Sequence, residues 1–412
     1  MTTDSITAAT PAATPIESRP QVSLWTIWLA FLQVGLTAFG FAILQKLKKL
    51  VLTNHWLTEE EMNEGLALVQ LYPGPMMIDF TAYAGYKVRG VPGAVVATLG
   101  FIIPTLILML ALSAAYFAAG SLPWVQPLFL GLEALVVGVL INVVLEFGQR
   151  AIKGRLEAAV MLAAFAALVF KANAVLIVLI ALAAGAVFIR PQTAGKPAKE
   201  QPRPWRDESV STRRWAGIAL ALVVVMAGVG LAWSLNSEVG RLGLSLFKIG
   251  AIAFGNGMTI LPLIQADAVD THHWLTMNQF VDGIALSQIT PGPFLIIATF
   301  IGYKLGGMWG GLLATFAMFA PSFVMTLIFT EVFSRVRNLA VVKGALAGVL
   351  AAFVGLLAVV LIRLGGIGIG GPASMVMAAG AFVAIRSFKW DLLWVFAGGL
   401  AVWSGFVMLG MV

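Results

Sequence analysis

The sequence predicts an all-α polytopic membrane protein with two inverted-topology repeats, whose helices are broken or re-entrant at glycine and Pro-Gly-Pro motifs. Apolar composition, an internal duplication and the distribution of positive charge support this fold class. Of 412 residues, 60% are hydrophobic and 11% are charged, whereas a soluble domain has roughly 25% charged residues. Charge-free runs such as 93–119 and 215–235 are long enough to cross a bilayer, which takes about 20 helical residues. A soluble fold is therefore excluded.

Composition divides the chain into five predicted segments. Residues 1–21 form a polar tail rich in Thr, Ala and Pro, which we expect to be disordered and which lacks the pattern of a cleaved signal peptide. Residues 22–189 and 239–412 are the first and second membrane repeats. Residues 190–214 are predicted to be a cytoplasmic linker, because Lys and Arg collect in cytoplasmic loops. Residues 215–235 add one transmembrane helix that has no counterpart before the first repeat.

The two repeats share motifs in the same order and at a nearly constant offset. Each copy has a glycine before Ala-Phe-Gly, then His-Trp-Leu-Thr, then Gln before Pro-Gly-Pro, and then Gly-Tyr-Lys. The paired stretches are 35–40 with 250–255, 55–58 with 273–276, 70–75 with 288–293, and 85–87 with 302–304. So many ordered matches exclude coincidence and indicate an internal repeat.

One extra membrane crossing between the two copies inverts the orientation of the second copy in the membrane. The distribution of positive charge in the loops agrees with this inversion. Positive residues of the first repeat cluster at Lys46, Lys48, Lys49, Lys87, Arg89, Arg150, Lys153 and Arg155, whereas in the second repeat Arg335, Arg337, Arg386 and Lys389 occupy the opposite set of loops. The alternate loops, 120–123 and 267–273, contain no Lys or Arg. Positive loops that swap position between the copies predict an inverted repeat, which is common in secondary transporters.

The same charges predict re-entrant hairpins. If Arg214 and Arg335 share one side of the membrane, an even number of crossings separates them, and 215–235 and 307–331 already supply two. The segments that hold the glycine break and the Pro-Gly-Pro break therefore both cross or both turn back. A cytoplasmic position for Lys46, Lys48 and Lys49 favours turning back. Arms of about 12 residues fit this, because they reach only ~18 Å, roughly halfway through the bilayer. Broken helices that cross fully are the alternative.

The breaks are candidate anion sites. Pro-Gly-Pro cannot continue a helix, and in a membrane its unpaired backbone groups need protein or water around them. Pro75 and Pro293 suit the first position of new half-helices, whose free N–H groups and positive dipole ends attract an anion. The predicted binding residues of the breaks are Pro73, Gly74, Pro75, Pro291, Gly292, Pro293, Gly40 and Gly255. A packing kink without a ligand is the alternative.

Five polar side chains near the breaks are further candidates for substrate binding. Lys248 precedes the second glycine break, and a charge deep in a membrane segment usually marks function. Gln70 and Gln288 lie nearly one helical turn before each Pro-Gly-Pro, so their amides can donate to an oxyanion. Tyr72 and Thr290 add hydroxyl groups beside them. The alternatives are snorkelling of Lys248 to the interface and interhelical hydrogen bonding by the others.

Asp79 is the candidate for proton coupling, because a lone buried carboxylate with a raised pKa can carry a proton. Pairing with a Lys or Arg is the alternative. The chain contains no cysteine, which excludes disulfides and thiolate metal sites, and we expect no metal, no cofactor and no nucleic-acid partner. We also expect no enzyme activity, because the chain offers no cysteine, no His-Glu-x-x-His motif and only scattered acidic residues.

The duplicated motifs resemble a known family. Phe-Gly, Trp-Leu-Thr, Ala-Leu-x-Gln-x-x-Pro-Gly-Pro and Gly-Tyr-x-x-Gly-x-x-Gly in two tandem copies look like the chromate ion transporter family in its long, two-domain form. The resemblance covers about residues 22–411. It implies export of chromate across the bacterial inner membrane, resistance to chromate, and drive by the membrane potential or a proton gradient, with sulfate as an isosteric relative. The chain departs from the family pattern at 39–42, where Phe-Gly-Phe-Ala replaces Phe-Gly-Gly-Pro.

The sequence therefore predicts a secondary transporter of chromate or a related divalent oxyanion that works by alternating access in the lipid bilayer. A passive anion channel shares almost all of these features, and a small organic anion is an alternative substrate. Alternating access favours the transporter, because an inverted duplication supplies the two opposed halves that it requires. A homodimer is an open alternative for the assembly.

Overall fold

The computed structural model describes residues 22–40, 42–119, 125–189, 212–235, 237–254, 257–336 and 340–409. The predicted tail, Gly255 and nearly all of the predicted linker lie outside these residues. Within the described ranges the regular structure is helical throughout, without a β-strand.

Each repeat contains the same succession of helices. The first has α1 (Leu24–Thr37), α2 (Ala42–Thr53), α3 (Glu59–Leu68), α4 (Met76–Ala119), α5 (Val125–Ala151), α6 (Arg155–Val169) and α7 (Ala174–Phe188). After α8 (Thr212–Ser234), the second has α9 (Glu238–Ala251), α10 (Leu261–Gln265), α11 (Met277–Ile289), α12 (Ile297–Val336), α13 (Ala340–Gly368), α14 (Pro372–Arg386) and α15 (Leu392–Met408). The turns Met258–Ile260 and Ala266–Thr271 flank α10, and Phe294–Ile296 precedes α12. The predicted fold class is confirmed.

Among the residues that the structure describes, five helices are long and apolar enough to cross a membrane. They cover Met76–Ala119, Gln126–Ala151, Arg214–Ser234, Phe294–Val332 and Val341–Gly368. Shorter apolar helices, among them α1 and α15, pack around them. The chain is thus a multi-pass membrane protein, and its exposed apolar side chains, dense along α8, suit contact with lipid.

The chain turns back on itself at the first Pro-Gly-Pro break. Helix α3 has 10 residues, about 15 Å at 1.5 Å per residue, which is too short to cross. Its Glu61 carbonyl accepts a hydrogen bond of 2.9 Å from the Tyr83 hydroxyl. That bond places the first part of α4 antiparallel to α3. The two segments form a hairpin whose tip is the break.

A second reversal lies inside α4. Gly90 has a φ of 63°, outside the helical range, and this left-handed conformation favours glycine. The backbones of Gly85 and Gly93 pack so closely across the bend that neither has room for a side chain. In the second repeat, Gly307 has a φ of 58°, and Gly302 packs against Gly310 in the same way. These bends were not among the predicted breaks, and they occur at corresponding glycines of the two copies.

The corresponding long helices of the two repeats run antiparallel. Gly311, early in α12, faces Leu110, late in α4. At the other end, Ala94 from early in α4 and Leu327 from late in α12 share one small buried cluster. Two parallel helices cannot make both contacts. The repeats are therefore oppositely oriented, as the loop charges predict.

The two Gly-Tyr-Lys motifs consequently lie at opposite ends of the molecule. Tyr86 donates a hydrogen bond to Glu331, and Arg214 lies 4.0 Å from the same carboxylate. We call this end the linker end, because Arg214 closes the predicted linker. At the opposite end, Tyr303 stacks on Phe117 with the ring centroids 6.2 Å apart.

The repeats also exchange helices. Gly138 of α5 packs against α14 at Ala378 and Ala381, and Gly185 of α7 packs against α13 at Gly344 and Gly348. Glycine and alanine at these contacts allow close backbone approach, as is typical of helix packing in membranes. The buried core is therefore continuous across the repeats, so that movement in one repeat is felt in the other.

A capping box starts α11, and we expect its loss to reduce stability. The Thr276 hydroxyl accepts from the Gln279 N–H, and the Gln279 side chain accepts from the Thr276 N–H, both at 3.2 Å. Thr276→Ala should lower stability by about 1 kcal/mol. The thermal unfolding midpoint in detergent measures this, and Thr276→Ser, which keeps the hydroxyl, is the control. An unchanged midpoint in the alanine variant would contradict the assigned cap.

Candidate functional site

A small buried cavity lies where four chain breaks meet. Its volume is ≈ 40 Å³, room for a few water molecules at roughly 15 Å³ each. The residues that line it are Gly40, Ile43, Pro75, Met77, Gly257, Met258, Ser287, Gln288, Thr290, Gly292, Pro293, Phe294, Leu295 and Leu392. Both repeats contribute, so the cavity lies at their interface, where inverted-repeat transporters bind substrate.

Each break precedes the start of a helical segment, and a residue from each of the four starts lines the cavity. Ile43 is in the first turn of α2, Met77 in that of α4, Met258 begins the turn before α10, and Phe294 begins the turn before α12. The first N–H groups of a helix have no partner within it, and they carry partial positive charge. Four sets of such donors around one cavity suit a small anion.

The second Pro-Gly-Pro break is fastened to the first repeat. The Gly292 N–H donates to the Ala38 carbonyl at 2.9 Å, and the Thr105 hydroxyl donates to the Pro291 carbonyl at 2.6 Å. Gly292 has a φ of +105°, and Thr105 leaves no room for a side chain there. This break therefore requires glycine for conformation and for space.

Gln288 is the best-placed polar side chain at the cavity. It is 4% exposed, and its amide nitrogen faces the Met258 sulfur at 3.7 Å, a weak acceptor that is easily exchanged for an oxyanion. Thr290 and Ser287 donate to backbone carbonyls of their own helix, at 2.7 Å each. None of the fourteen lining residues carries a charge. Within the described chain, neutral donors alone surround the cavity.

The first repeat does not copy this arrangement. The Tyr72 hydroxyl donates to Thr326 of α12 at 2.7 Å, and Gln70 is exposed and outside the cavity lining. Pro75 lines the cavity, whereas Pro73 and Gly74 do not. The predicted site residues of the second break are thus brought together more completely than those of the first.

Comparison with known proteins identifies the family of the chain. Residues 25–187 and 240–403 each match the profile of the Chromate transporter family. The chain belongs to this family. Because each repeat matches separately, the family match repeats the internal duplication found in the sequence.

Several relatives cover most of the chain. It is 30% identical to a chromate transport protein of Cupriavidus metallidurans, over 84% of this chain and 84% of the relative. A chromate transport protein of Pseudomonas aeruginosa is 29% identical over 98% and 96%. An uncharacterized transporter of Methanocaldococcus jannaschii is 30% identical over 84% and 86%. No solved structure matches the chain.

Lys248 of this family member lies outside the cavity lining. Its side chain is exposed on α9, on a helix whose Ile249 and Gly250 are buried. Its positive charge favours the ionised form of Asp267, as does His272, although burial is the larger influence and raises the pKa of Asp267. The predicted direct pairing of Lys248 with a bound anion therefore finds no support in its position.

Lys248 instead neighbours a wide vestibule at the end opposite the linker end. The vestibule has a volume of ≈ 730 Å³ and includes Lys171, Asp267, Asp270 and Arg363. Arg363 pairs with Asp270 at 2.6 Å. Gln265 also lines the vestibule, seven residues from the cavity residue Met258, or about 10 Å along a helix. The vestibule thus brings solvent close to the cavity.

Asp79 lies fully buried against the first Pro-Gly-Pro break. Its carboxyl group fills the space beside Gly74, where a side chain would have no room. Its neighbours are the Ser322 and Thr326 hydroxyls of α12, and neither carboxyl oxygen accepts a well-formed hydrogen bond. Among the described residues it has no ion pair, so the alternative of pairing with Lys or Arg is not met there.

Sequence reasoning predicted six of the fourteen residues that line the cavity and missed the other eight, of which three are instructive. Leu392, at the start of α15, contacts Gly40, although the two are far apart in the chain. Gly257, with a φ of +87°, lines the cavity two residues after the predicted Gly255. Ser287 adjoins Gln288 but has no counterpart in the motif comparison. Only the Gly257 position was foreseeable, because glycine beside a predicted break is a common sign of positive φ.

Proposed function

We propose that the chain is a secondary transporter that exports chromate, or a related divalent oxyanion such as sulfate, across a bacterial inner membrane by alternating access. The observation that carries this proposal is the meeting of four helix starts at one buried cavity between the repeats. The names of the relatives from Cupriavidus metallidurans and Pseudomonas aeruginosa, both chromate transport proteins, supply the choice of substrate.

The charge of the cavity suits a doubly charged anion. A helix start carries about +0.5 elementary charge, so four starts carry nominally the charge that neutralises a dianion. Backbone N–H groups and the Gln288 amide donate hydrogen bonds to oxygen, and burial strengthens these bonds. Tetrahedral oxyanions present oxygen in every direction, which matches donors that approach from four helices.

Opposed repeats and a small cavity between them favour a carrier over a channel. The cavity is small and buried between the repeats, and the wide vestibule approaches it from one end. Alternation of this access between the two ends would move one anion per cycle, whereas a passive channel needs a continuous path. The Lys- and Arg-rich segment 190–214 supports a cytoplasmic position for the linker end. A second copy is not needed to form the cavity, because residues of one chain line it. A small organic anion is the alternative substrate.

Asp79 is the candidate for proton coupling within this proposal. Its carboxyl group lies beside the start of α4, one of the four helix starts at the cavity. A negative charge there would compete with an anion for the same partial positive charge. Binding of a proton by Asp79 would remove that competition.

Flux measurements in proteoliposomes test the proposed function. We expect saturable uptake of radiolabelled chromate, inhibition by sulfate, and acceleration by chromate trapped inside, which a carrier shows and a channel does not. Liposomes without protein are the control. Chromate flux no greater than in those liposomes would overturn the proposal, and flux that rises linearly with concentration would assign a channel.

A further inference from the structure

Two buried carboxyl groups face each other between the repeats, away from the cavity. Glu133 lies on α5 of the first repeat and is 3% exposed, and Asp282 lies on α11 of the second repeat and is 6% exposed. The two side chains are close enough to interact directly with each other. Neither residue takes part in the duplicated motifs.

The pair lacks one hydrogen-bond donor. The Tyr116 hydroxyl of α4 donates to one oxygen of Asp282 at 2.6 Å. The other Asp282 oxygen and one oxygen of Glu133 are buried without any partner. Ionised carboxylates can only accept hydrogen bonds, so two facing acceptors leave both unsatisfied. A single proton between them supplies the missing donor.

No described basic side chain neutralises the pair. On α4, Tyr116 is the titratable neighbour. On α12, Lys304 lies over the Phe117 ring at 5.1 Å, beside Tyr303, and forms no ion pair with either carboxyl group within the described residues.

The remaining helices that pack on α5 bring no charge to the pair. Helix α13 approaches Glu133 with the backbone of Gly368, and α15 packs Trp403 on Gly131. On α14, Ala378 and Ala381 face Gly138. Two carboxylates in such surroundings cannot both be ionised, because like charges at close range in a low dielectric repel strongly.

We propose that Glu133 and Asp282 together bind one proton, and that this proton site is coupled to the anion cavity through α11. The proposal rests on the proposed transport function. The proton comes from solvent water and returns to it, and no other bond changes. Asp282 and the cavity residue Gln288 are six residues apart on α11, about 9 Å along one rigid helix.

The position of the pair explains how a proton could act at a distance. Glu133 belongs to one repeat and Asp282 to the other, so the shared proton holds the repeats together. Loss of that proton leaves two negative charges that repel and separate α5 from α11. Any displacement of α11 carries Gln288 and Thr290 with it, because they end the same helix. Proton release and the shape of the cavity are therefore linked.

Proton movement and chromate exchange, measured side by side, test the proposal. Proteoliposomes hold a pH-sensitive dye, and an imposed chromate gradient drives transport with and without sodium. Wild type should show a chromate-dependent pH change that does not require sodium.

Glu133→Gln and Asp282→Asn keep the shapes of the side chains, but an amide cannot take the proton. We expect each to reduce the pH change to less than about a tenth of wild type and to retain exchange of labelled chromate. Glu146→Gln, on the same helix but paired with Arg150, should resemble wild type.

The outcomes separate the two proposals. Absence of chromate exchange in wild type contradicts the proposed function. Exchange without any pH change in wild type, or a response that needs sodium, overturns the proton site. Full proton movement in both pair variants with loss in Asp79→Asn assigns the proton to Asp79 instead. The pair variants could lose chromate exchange through misfolding, and Tyr116→Phe, which keeps both carboxyl groups, then tests the proton site. We expect this variant to alter the pH dependence of proton movement. An unaltered pH dependence counts against the site.

Discussion

Gly292→Ala is expected to reduce chromate transport more than about tenfold, because strain at such a backbone position costs about 1–3 kcal/mol. Gly292 has a φ of +105°, and an added methyl group would meet the Thr105 hydroxyl. Relief of that clash must shift the break, which breaks the hydrogen bond between Gly292 and Ala38. The helix start at Phe294 would then move away from the cavity. Initial rates of chromate uptake in proteoliposomes, normalised to protein content, measure the loss.

A glycine in open surroundings provides the matched control for this substitution. Gly380, in the middle of α14, has no neighbouring atom where a methyl group would lie. Gly380→Ala should therefore transport normally and be slightly stabilised, since alanine is the better helix former by about 1 kcal/mol. Wild-type transport by Gly292→Ala, with a normal unfolding midpoint, would mean that the second break does not shape the site.

Gln288→Ala is expected to weaken chromate binding by about 10- to 100-fold, because a hydrogen bond to a charged group contributes about 1.5–3 kcal/mol. The amide is buried at the cavity, and its donor faces only a methionine sulfur. Its removal takes away the side-chain donor that is best placed for an oxyanion and leaves the four helix starts in place. The concentration of half-maximal uptake should rise, whereas the unfolding midpoint should change little.

Gln70→Ala is the matched control, because Gln70 is the counterpart of Gln288 in the first repeat but is exposed and outside the cavity lining. We expect its half-maximal concentration to stay within about twofold of wild type, the level of a surface substitution. Lys248→Ala should behave similarly. Equal losses in Gln70→Ala and Gln288→Ala would contradict the assignment of binding to the second break.

The fold was predictable because its determinants are local. The length of the apolar runs, the duplicated motifs and the charges of the loops can all be read directly from the sequence. The bends at Gly90 and Gly307 were not predicted, because glycine permits a positive φ without requiring it. The exchange of helices between the repeats was not predictable. In it α6 and α7 pack on α13 of the second repeat, and α14 and α15 pack on α5 of the first, through small residues that are distant in the chain.

The site was predictable only in part, for a related reason. Motifs located the breaks and Gln288, because glycine and Pro-Gly-Pro motifs that break a helix can be recognised in the sequence. They could not show which face of a helix meets the cavity, so Lys248 and Gln70 were indistinguishable from Gln288. The Glu133–Asp282 pair has no motif at all. Its two members meet only because α5 and α11 come from different repeats.

The four helix starts at the cavity have a consequence for how the protein can change over time. A ligand held by main-chain amides depends on the path of the backbone, and that path is set by a few glycines and prolines. Almost any side chain elsewhere can be replaced without removing a donor. Scans that truncate side chains one by one should therefore find few essential positions, and these should cluster at the turns. A chain whose sequence has diverged far can keep its selectivity for the same anion.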